Sequence, residues 1–455
     1  MKELEIKKEE IVRLFDERRY AEVIRGVSDL QAADAAEIFS DIPIEYQTKF
    51  FRLLPKDTAA ELFVLTDTDE TERIIASFSD SELSEMLSEL YLDDTVDIIQ
   101  EMPANVVKKI LRNSTAEDRI RINELLGYHH NSAGAIMTPE YVRFVGDMTV
   151  EAALAHIRRV AIDKETIYTC YVTDKYRHLL GIVTAKDLLI SDLDKNLSDI
   201  MERSVIYAYT TDDKEDVARK IEKYGFLALP IVDTEERLVG IVTVDDAIDV
   251  LGEEIEEDIS KMAAITPTEA PYLKTSALSV FKSRIPWLLI LMISATVSST
   301  ILSFFEASLA GILVLFVPML MDTGGNSGNQ ASVTLVRGLS LGEVKRSDFL
   351  KVWYKELRVG LLCGAVLGTV AFGKIMLIDR LAMQNSEVTL LLATVVAVTL
   401  ALTVIIAKLV GSSLPILASM VGLDPAVMAS PFITTAVDAL SLIIYFLIAS
   451  PFFAV

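Results

Sequence analysis

Residues 310–330, AGILVLFVPMLMDTGGNSGNQ, decide how the second half of this 455-residue chain is built. The apolar run at its start, about 12 residues, reaches only about 18 Å at 1.5 Å per residue. It then meets a Gly- and Asn-rich stretch, and apolar character resumes at Ala331. Around it, 286–305, 359–378, 388–407 and 431–455 are mostly apolar, and about 20 such residues cross about 30 Å of hydrocarbon. The polar stretch 322–330 is therefore expected at membrane depth. Lipid cannot hydrogen-bond irregular backbone, so such a break survives only where it lines a protein- or water-filled cavity, which points to a pore. The competing reading is a surface loop between two half-length hydrophobic hairpins.

Five spans put the two ends of this all-α membrane domain (281–455) on opposite sides. Arg337, Lys345, Arg346, Lys351, Lys355 and Arg358 fall between the second and third spans, and Lys282 and Arg284 precede the first, whereas FEASLA (305–310) and IDRLAMQNSE (378–387) carry no excess of positive charge. Basic segments stay inside. The multi-pass domain is thus expected in the cell membrane, with the N-terminal half cytoplasmic and Val455 outside. The opening MKELEIKKEE has no apolar core, so no cleavable leader is expected.

Charge separates the halves. From Pro271 onward there are 12 Lys and Arg against 9 Asp and Glu, a formal +3, and the 31 basic and 57 acidic residues before it give −26. Such a surface repels nucleic acid and anionic lipid and attracts cations, although simple solubility explains the same excess. Cys170 and Cys363 fall in different regions, which leaves neither a disulfide framework nor a thiolate metal site.

Residues 1–130 read as consecutive short amphipathic helices, among them IVRLFDERRYAEVIRGV and DTVDIIQEM, punctuated by Pro43, Pro55 and Pro103. That spacing suggests an all-α superhelical N domain. Beyond it LLGIVTAKDLLI and LVGIVTVDDAID share G-I-V-T-x-x-D, with Gly181 and Gly240 standing 59 residues apart, each after a short β-like run, TCYVTD or ALPIVD. Two in-phase copies resemble a tandem pair of CBS domains, an α/β module, here 131–200 and 201–250.

Within the spans an ionisable group costs about 2.5 to 3.5 kcal/mol at mid-helix, so each is a functional candidate. Asp438 stands out in PFITTAVDALSLIIYF, with Thr434 and Thr435 one turn before it and Ser441 nearly one turn after, on one face. Such a stripe faces water or a partner helix. The alternative is an ion pair with Lys374 or Lys408, both near span ends where a lysine can snorkel instead. Asp322, beside the neutral oxygens of Asn326, Asn329 and Gln330, fits two roles equally: an ion ligand, or the cap of a second half-helix.

Residues 318–330, PMLMDTGGNSGNQ, taken with Leu423-Asp424-Pro425 and the T-T-x-x-D of 434–438, closely resemble the MgtE family of magnesium channels, in a likeness that covers almost the whole chain. The resemblance implies a homodimer whose two-fold axis carries the pore, with the Asp438 carboxylates of both copies binding a hydrated Mg²⁺ and Asp322, Gly325, Asn326, Gln330, Thr434 and Thr435 along the path. Mg²⁺ dehydrates reluctantly and is held by one or two carboxylates plus water, which agrees, and rings of carboxylates select cations. It also implies a connecting helix (251–280) that plugs the pore.

In VDDAIDVLGEEIEEDISKM the acids Asp246, Asp249, Glu253, Glu254, Glu257 and Asp258 recur at spacings of three, four and eight, so several share a face and repel one another. By resemblance, Mg²⁺ bridges this helix to Asp213 and Glu215 of the second CBS repeat and to Glu61, Asp93 and Asp97 of the N domain, closing the pore when internal Mg²⁺ is high. CBS relatives also hold a nucleotide's ribose at such motifs, here Thr184, Asp187, Thr243 and Asp246, so ATP is a second ligand implied.

No P-loop, His-rich site or Ser/His/Asp cluster is found, which argues against an enzyme. All-oxygen ligands favour a hard cation over Zn²⁺ or Cu⁺ but leave Co²⁺, Ni²⁺, Mn²⁺ and Ca²⁺ open alongside Mg²⁺.

Overall fold

The computed structural model describes every residue except 1, 29, 269–271, 273, 274, 307–310, 429, 454 and 455. Val455 and most of the FEASLA loop therefore lie outside the described residues. The chain forms two compact units, Met1–Gly252 and Glu253–Val455.

The first unit begins with ten helices among the described residues: α1 (Lys2–Asp16), α2 (Tyr20–Val27), α3 (Ala32–Asp41), α4 (Ile44–Leu53), α5 (Lys56–Val64), α6 (Thr68–Ser77), α7 (Asp80–Leu87), α8 (Leu92–Glu101), α9 (Ala104–Asn113) and α10 (Ala116–Leu125). The prolines act as the sequence suggests. Pro43, Pro55 and Pro103 occupy the N-cap positions of α4, α5 and α9, where the missing N–H costs nothing because the first turn has no partner for it. Ser79 and Glu82 close a capping box on α7. The buried faces meet in an aromatic cluster, with Phe51 5.7 Å from Phe78 and 6.1 Å from Phe63 between ring centroids.

Two three-stranded sheets follow, β1 (Tyr141–Val145), β2 (Thr166–Thr173) and β3 (Leu179–Thr184), then β4 (Ala208–Tyr209), β5 (Ala228–Val232) and β6 (Leu238–Thr243). Each pairs its first two strands parallel and its last two antiparallel. The parallel crossovers are α11 (Val150–Val160) and α14 (Lys214–Tyr224), and α12 (Ala185–Ile190) and α13 (Leu197–Ile200) lie between the sheets in sequence. The repeats exchange edges, since Thr138 pairs with Ile241 of β6 and Glu202 with Ile182 of β3. That crossing explains the repeated glycine. A Cβ on Gly181 would sit 2.7 Å from the Glu202 carbonyl oxygen, and one on Gly240 3.0 Å from that of Thr138, so only glycine admits the second chain there. α15 (Val244–Met262) runs straight out of β6, so the connecting helix starts earlier and ends earlier than 251–280.

The second unit contains α16 (Ala277–Glu306), α17 (Gly311–Val314), α18 (Val317–Ser340), α19 (Phe349–Lys374), α20 (Leu390–Met420) and α21 (Ser430–Ala449). Among the described residues four helices are long and apolar enough to cross a membrane: α16, α19 with its π-helical extension Ile375–Ala382, α20, and α21 with the turn before it. The fifth expected span is not among them, because α18 is too polar by composition.

The expectation of irregular backbone at 322–330 is wrong, since these residues are continuous helix within α18. Asp322 therefore sits inside a helix and caps nothing. The glycines that look like helix breakers serve packing instead. Gly324 and Gly328 are buried where α18 meets α20 and α21: a Cβ on Gly324 would meet Thr403 at 2.8 Å and Ser441 at 2.9 Å, and one on Gly328 would meet Ile433 at 2.9 Å. Small residues let apolar helices approach closely enough for dispersion and backbone contacts to hold them without a hydrophobic drive.

Candidate functional site

Asp438 projects from the middle of α21 and is half-buried. Its neighbours spend their hydroxyls on the helix itself: Thr434 and Thr435 donate to the Pro431 carbonyl at 2.9 and 3.0 Å, and Ser441 donates to that of Val437 at 2.6 Å. No described group donates to the Asp438 carboxylate. The lysine alternative fails, because Lys374 pairs with Asp379 at 2.8 Å and Lys408 forms no ion pair with Asp438. Lys408 follows the third apolar run as expected, and its side chain is largely enclosed, with 5% exposure.

Facing Asp438 is Gly325 of α18, whose added Cβ would lie 3.6 Å from Asp438 Oδ1 and 3.2 Å from Thr434. Asp322, Gly325 and Asn329 follow at helical spacing along that side. Asp322, Asn326 and Gln330 form an exposed polar stripe on α18, the helix that packs against α20 and α21. Asn329 Oδ1 and Ser327 Oγ are buried without a hydrogen-bond partner, an expensive state in a low-dielectric interior. The unit thus offers two carboxylates, Asp438 and Asp322, and several unspent oxygens on facing helices.

In the first unit the acids gather differently. Asp93 and Asp94 open α8, Glu140 precedes β1, Glu165 precedes β2, and Asp245 and Asp246 open α15. Glu140 accepts the Leu92 N–H at 3.1 Å, which ties α8 to the CBS sheet, and Glu165 donates its own N–H to the Glu140 carbonyl at 2.9 Å. Burial drives Asp93, Asp94, Glu140, Glu165 and Asp246 upward, and repulsion from neighbouring acids adds to it. Glu165 is pushed up to about 8 by desolvation and then by Asp246 and Asp94, and Asp94 to about 7 by desolvation, Asp246 and Asp245. Asp93 is raised well above the usual range by desolvation, Asp94 and Asp246, and its Oδ1 is buried without a partner. Asp246 is raised by desolvation even though it accepts Thr243 Oγ1 at 2.5 Å.

Among the described residues no three such side chains converge tightly enough to make a ready-made metal cage. Several expected ligands are engaged locally. Asp213 caps α14 through the Glu215 N–H at 2.9 Å, and Glu215 is bound by Arg219. Asp187 shares a capping box with Thr184. Glu61, Asp97 and Asp249 are exposed. Glu254 is half-buried on the tail of α15. Further along that tail, Glu257 and Asp424 hold Lys261 at 2.6 and 2.7 Å, Ser340 donates to Asp258 at 3.0 Å, and Met262 packs on Val336 and Ala426. Sequence reading missed Asp94, Glu140, Glu165 and Lys261, whose partners come from elements distant along the chain.

The family model described as a divalent cation transporter, MgtE, matches residues 317–448; that of the MgtE intracellular N domain matches 30–131, and that of the CBS domain 133–194 and 197–253. The magnesium transporter MgtE of Thermus thermophilus is 36% identical over 442 residues, 95% of each chain. That of Bacillus subtilis is 32% identical over 428 residues, 94% of this chain and 93% of its own. Among solved structures, the soluble part of a magnesium transporter is 32% identical with a TM-score of 0.51, covering 55% of this chain and 99% of that one. The cytosolic domain of the Mg²⁺ channel MgtE in complex with ATP is 35% identical with a TM-score of 0.50, covering 54% and 99%.

Proposed function

The chain belongs to the MgtE family of magnesium transporters, and from that premise we propose a homodimeric, Mg²⁺-selective channel of the cell membrane, closed when internal Mg²⁺ binds its acidic cytoplasmic half. The observation that carries the reading is Asp438, a carboxylate in an apolar helix with no described partner. A group that costs so much to bury is retained for a cation. One subunit supplies too few carboxylates to surround Mg²⁺, whereas two Asp438 side chains across a symmetry axis suit an ion that keeps its waters. Asp322, Gly325, Asn326, Gln330, Thr434 and Thr435 then line the path, with Asn329 as a further neutral oxygen, and α18 crosses as the fifth span. The N-terminal half lies inside and the C-terminus outside.

Regulatory Mg²⁺ fits the seam around Asp93 and Asp246, where buried, mutually repelling carboxylates and an orphaned oxygen lack a counterion. Asp97, Glu61, Asp213, Glu215, Asp249, Glu254, Glu257 and Asp258 are the remaining acids of the scheme. ATP is a second ligand, favoured by the ATP-bound relative and by Thr184, Asp187 and Thr243 at the repeated helix starts. The test is Mg²⁺ uptake by the full-length protein in liposomes. Asp438→Asn reduces uptake to that of protein-free vesicles; undiminished flux removes Asp438 from the path, and equal uptake of Co²⁺, Ni²⁺ or Mn²⁺ replaces the selectivity for Mg²⁺.

A further inference from the structure

Lys408 is a buried lysine that ion conduction does not use. It is 5% exposed, and no hydrogen bond or ion pair joins it to a described side chain. Its stem is enclosed while its ammonium keeps a little accessible surface and has no counter-charge, so its surroundings should hold a reason for it.

They are set by how α19 and α20 pack. Cβ atoms added to Gly360, Gly364 and Gly368 would meet Ile405, Ala401 and Ala397 in turn, which fixes an antiparallel register and brings Lys408 level with Glu356 and Leu357, next to Arg358. Glu356 forms no ion pair with it. On the outer side of this contact a groove of about 350 Å³ runs between the helices, lined by Ala365, Thr369 and Phe372 of α19 and Thr394, Val398 and Ala401 of α20.

The groove and the cations lie on the same tracks. Along α19, positions 355, 358, 365, 369 and 372 advance by three, four or seven residues, and along α20, positions 394, 398, 401, 405 and 408 by three or four, so each set shares one helix face. Arg358 and Lys408 each stand one residue beyond an apolar run of about 20 residues, at the headgroup edge of the hydrocarbon. Lys355 and Arg358 are exposed there, Arg358 lies over the Tyr354 ring at 4.9 Å, and Trp353 is exposed beside them, a combination typical of the interface. The groove runs from Gly364 to Phe372, about 12 Å along the axis at 1.5 Å per residue, and Arg358 stands about 9 Å beyond its inner end on the same helix; the two together match one leaflet of a core about 30 Å thick.

We propose that this face of α19 and α20 is a binding site for an anionic phospholipid of the leaflet nearer the α15 tail, its phosphate held by Lys408, Arg358 and Lys355 and one acyl chain laid in the groove. Charge complementarity selects the occupant. A zwitterionic lipid or a second copy's apolar helix fills the groove but leaves the Lys408 ammonium without a counter-charge, whereas an anionic headgroup pairs it. Apolar length and cationic end together match a lipid rather than a free phosphate.

The full-length chain, released from mixed phosphatidylglycerol and phosphatidylcholine into the gas phase of a native mass spectrometer, reports which lipid stays bound. The wild type retains phosphatidylglycerol preferentially. Lys408→Met lowers that preference about five-fold, the scale of one basic group at a membrane surface, and Lys408→Arg keeps it. Ala365→Trp fills the groove with every cation in place, and it too expels the lipid; this variant carries the test if Lys408→Met fails to fold. Equal retention by wild type, Lys408→Met and Ala365→Trp overturns the proposal. So does a photo-crosslinker at position 365 that captures a second copy of the chain in place of lipid.

Discussion

The acidic seam of the first unit and the Asp438 face of the second both present carboxylates without counterions, but they differ in crowding. In the seam Asp93, Asp94, Glu140, Glu165 and Asp246 are all raised by burial, and Asp93, Asp94 and Glu165 are raised further by Asp246. Around Asp438 the neighbours are hydroxyls, glycine and amides, with Asp322 the one acid on the facing helix. Repulsion that folding itself creates is relieved by a cation that stays, so the seam suits a regulatory ion. Two carboxylates set among neutral oxygens, in place of a crowd of acids, hold an ion that must also leave, which is what conduction requires.

The largest effect that separates the two regions is expected from charge removal in each. Asp438→Asn should abolish Mg²⁺ flux in liposomes while leaving Mg²⁺-dependent proteolytic protection of the soluble half unchanged; loss of both would mean that the regions are not distinct. Next comes pH. The seam carboxyls titrate higher folded than unfolded, so between roughly 4 and 8 the folded state binds more protons and stability falls as pH rises. Without Mg²⁺, the protection of 92–101 from hydrogen exchange, relative to the intrinsic rate at each pH, should therefore fall from pH 5 to pH 8. Millimolar Mg²⁺ should flatten that slope, and a slope indifferent to Mg²⁺ would break the contrast.

A smaller change tests the orphaned oxygen. Asp93→Asn removes a buried charge that has no partner to lose, so it should stabilise the metal-free soluble half by about 1 to 2 kcal/mol and shrink the stabilisation that Mg²⁺ provides, both read from denaturant midpoints. Destabilisation would mean that Asp93 has a counterion.

What was legible beforehand follows the range of the interactions. Proline caps, the G-I-V-T repeat and four of the five expected spans are local patterns, and they appear in the structure where the sequence puts them. Asp438 was also visible, as an acid in an apolar run. The 322–330 stretch misled because intrinsic propensity disfavours glycine in a helix by about 1 kcal/mol each, whereas Gly324 and Gly328 are needed for contacts with α20 and α21 that no single segment reveals. The seam was half-legible for the same reason. Asp93 and Asp246 lie in acid-rich helices, but Glu140 and Glu165 become their neighbours only when the CBS sheet places β1 beside β2 and α8 docks through the Leu92 N–H.

Lys261 gives the smallest prediction and connects the two kinds of site. At the end of α15, among acids expected to bind Mg²⁺, it already supplies a permanent cation to Glu257 and Asp424. Burial alone would lower its pKa, but hydrogen bonds to Asp424 and Glu257 outweigh that and hold it above its usual value, so it is charged at every physiological pH. This contact needs no metal, and it adds to the Asp258–Ser340 bond and the Met262 packing that seat the helix tail. The pair is partly exposed, so its strength is that of a screened ion pair, 0.2 to about 1 kcal/mol. Lys261→Gln should therefore raise the Mg²⁺ concentration that half-closes the channel in liposomes by about 1.4- to 5-fold without altering maximal flux. A shift in the opposite direction would mean that the lysine competes with Mg²⁺ for Asp424 instead of reinforcing closure.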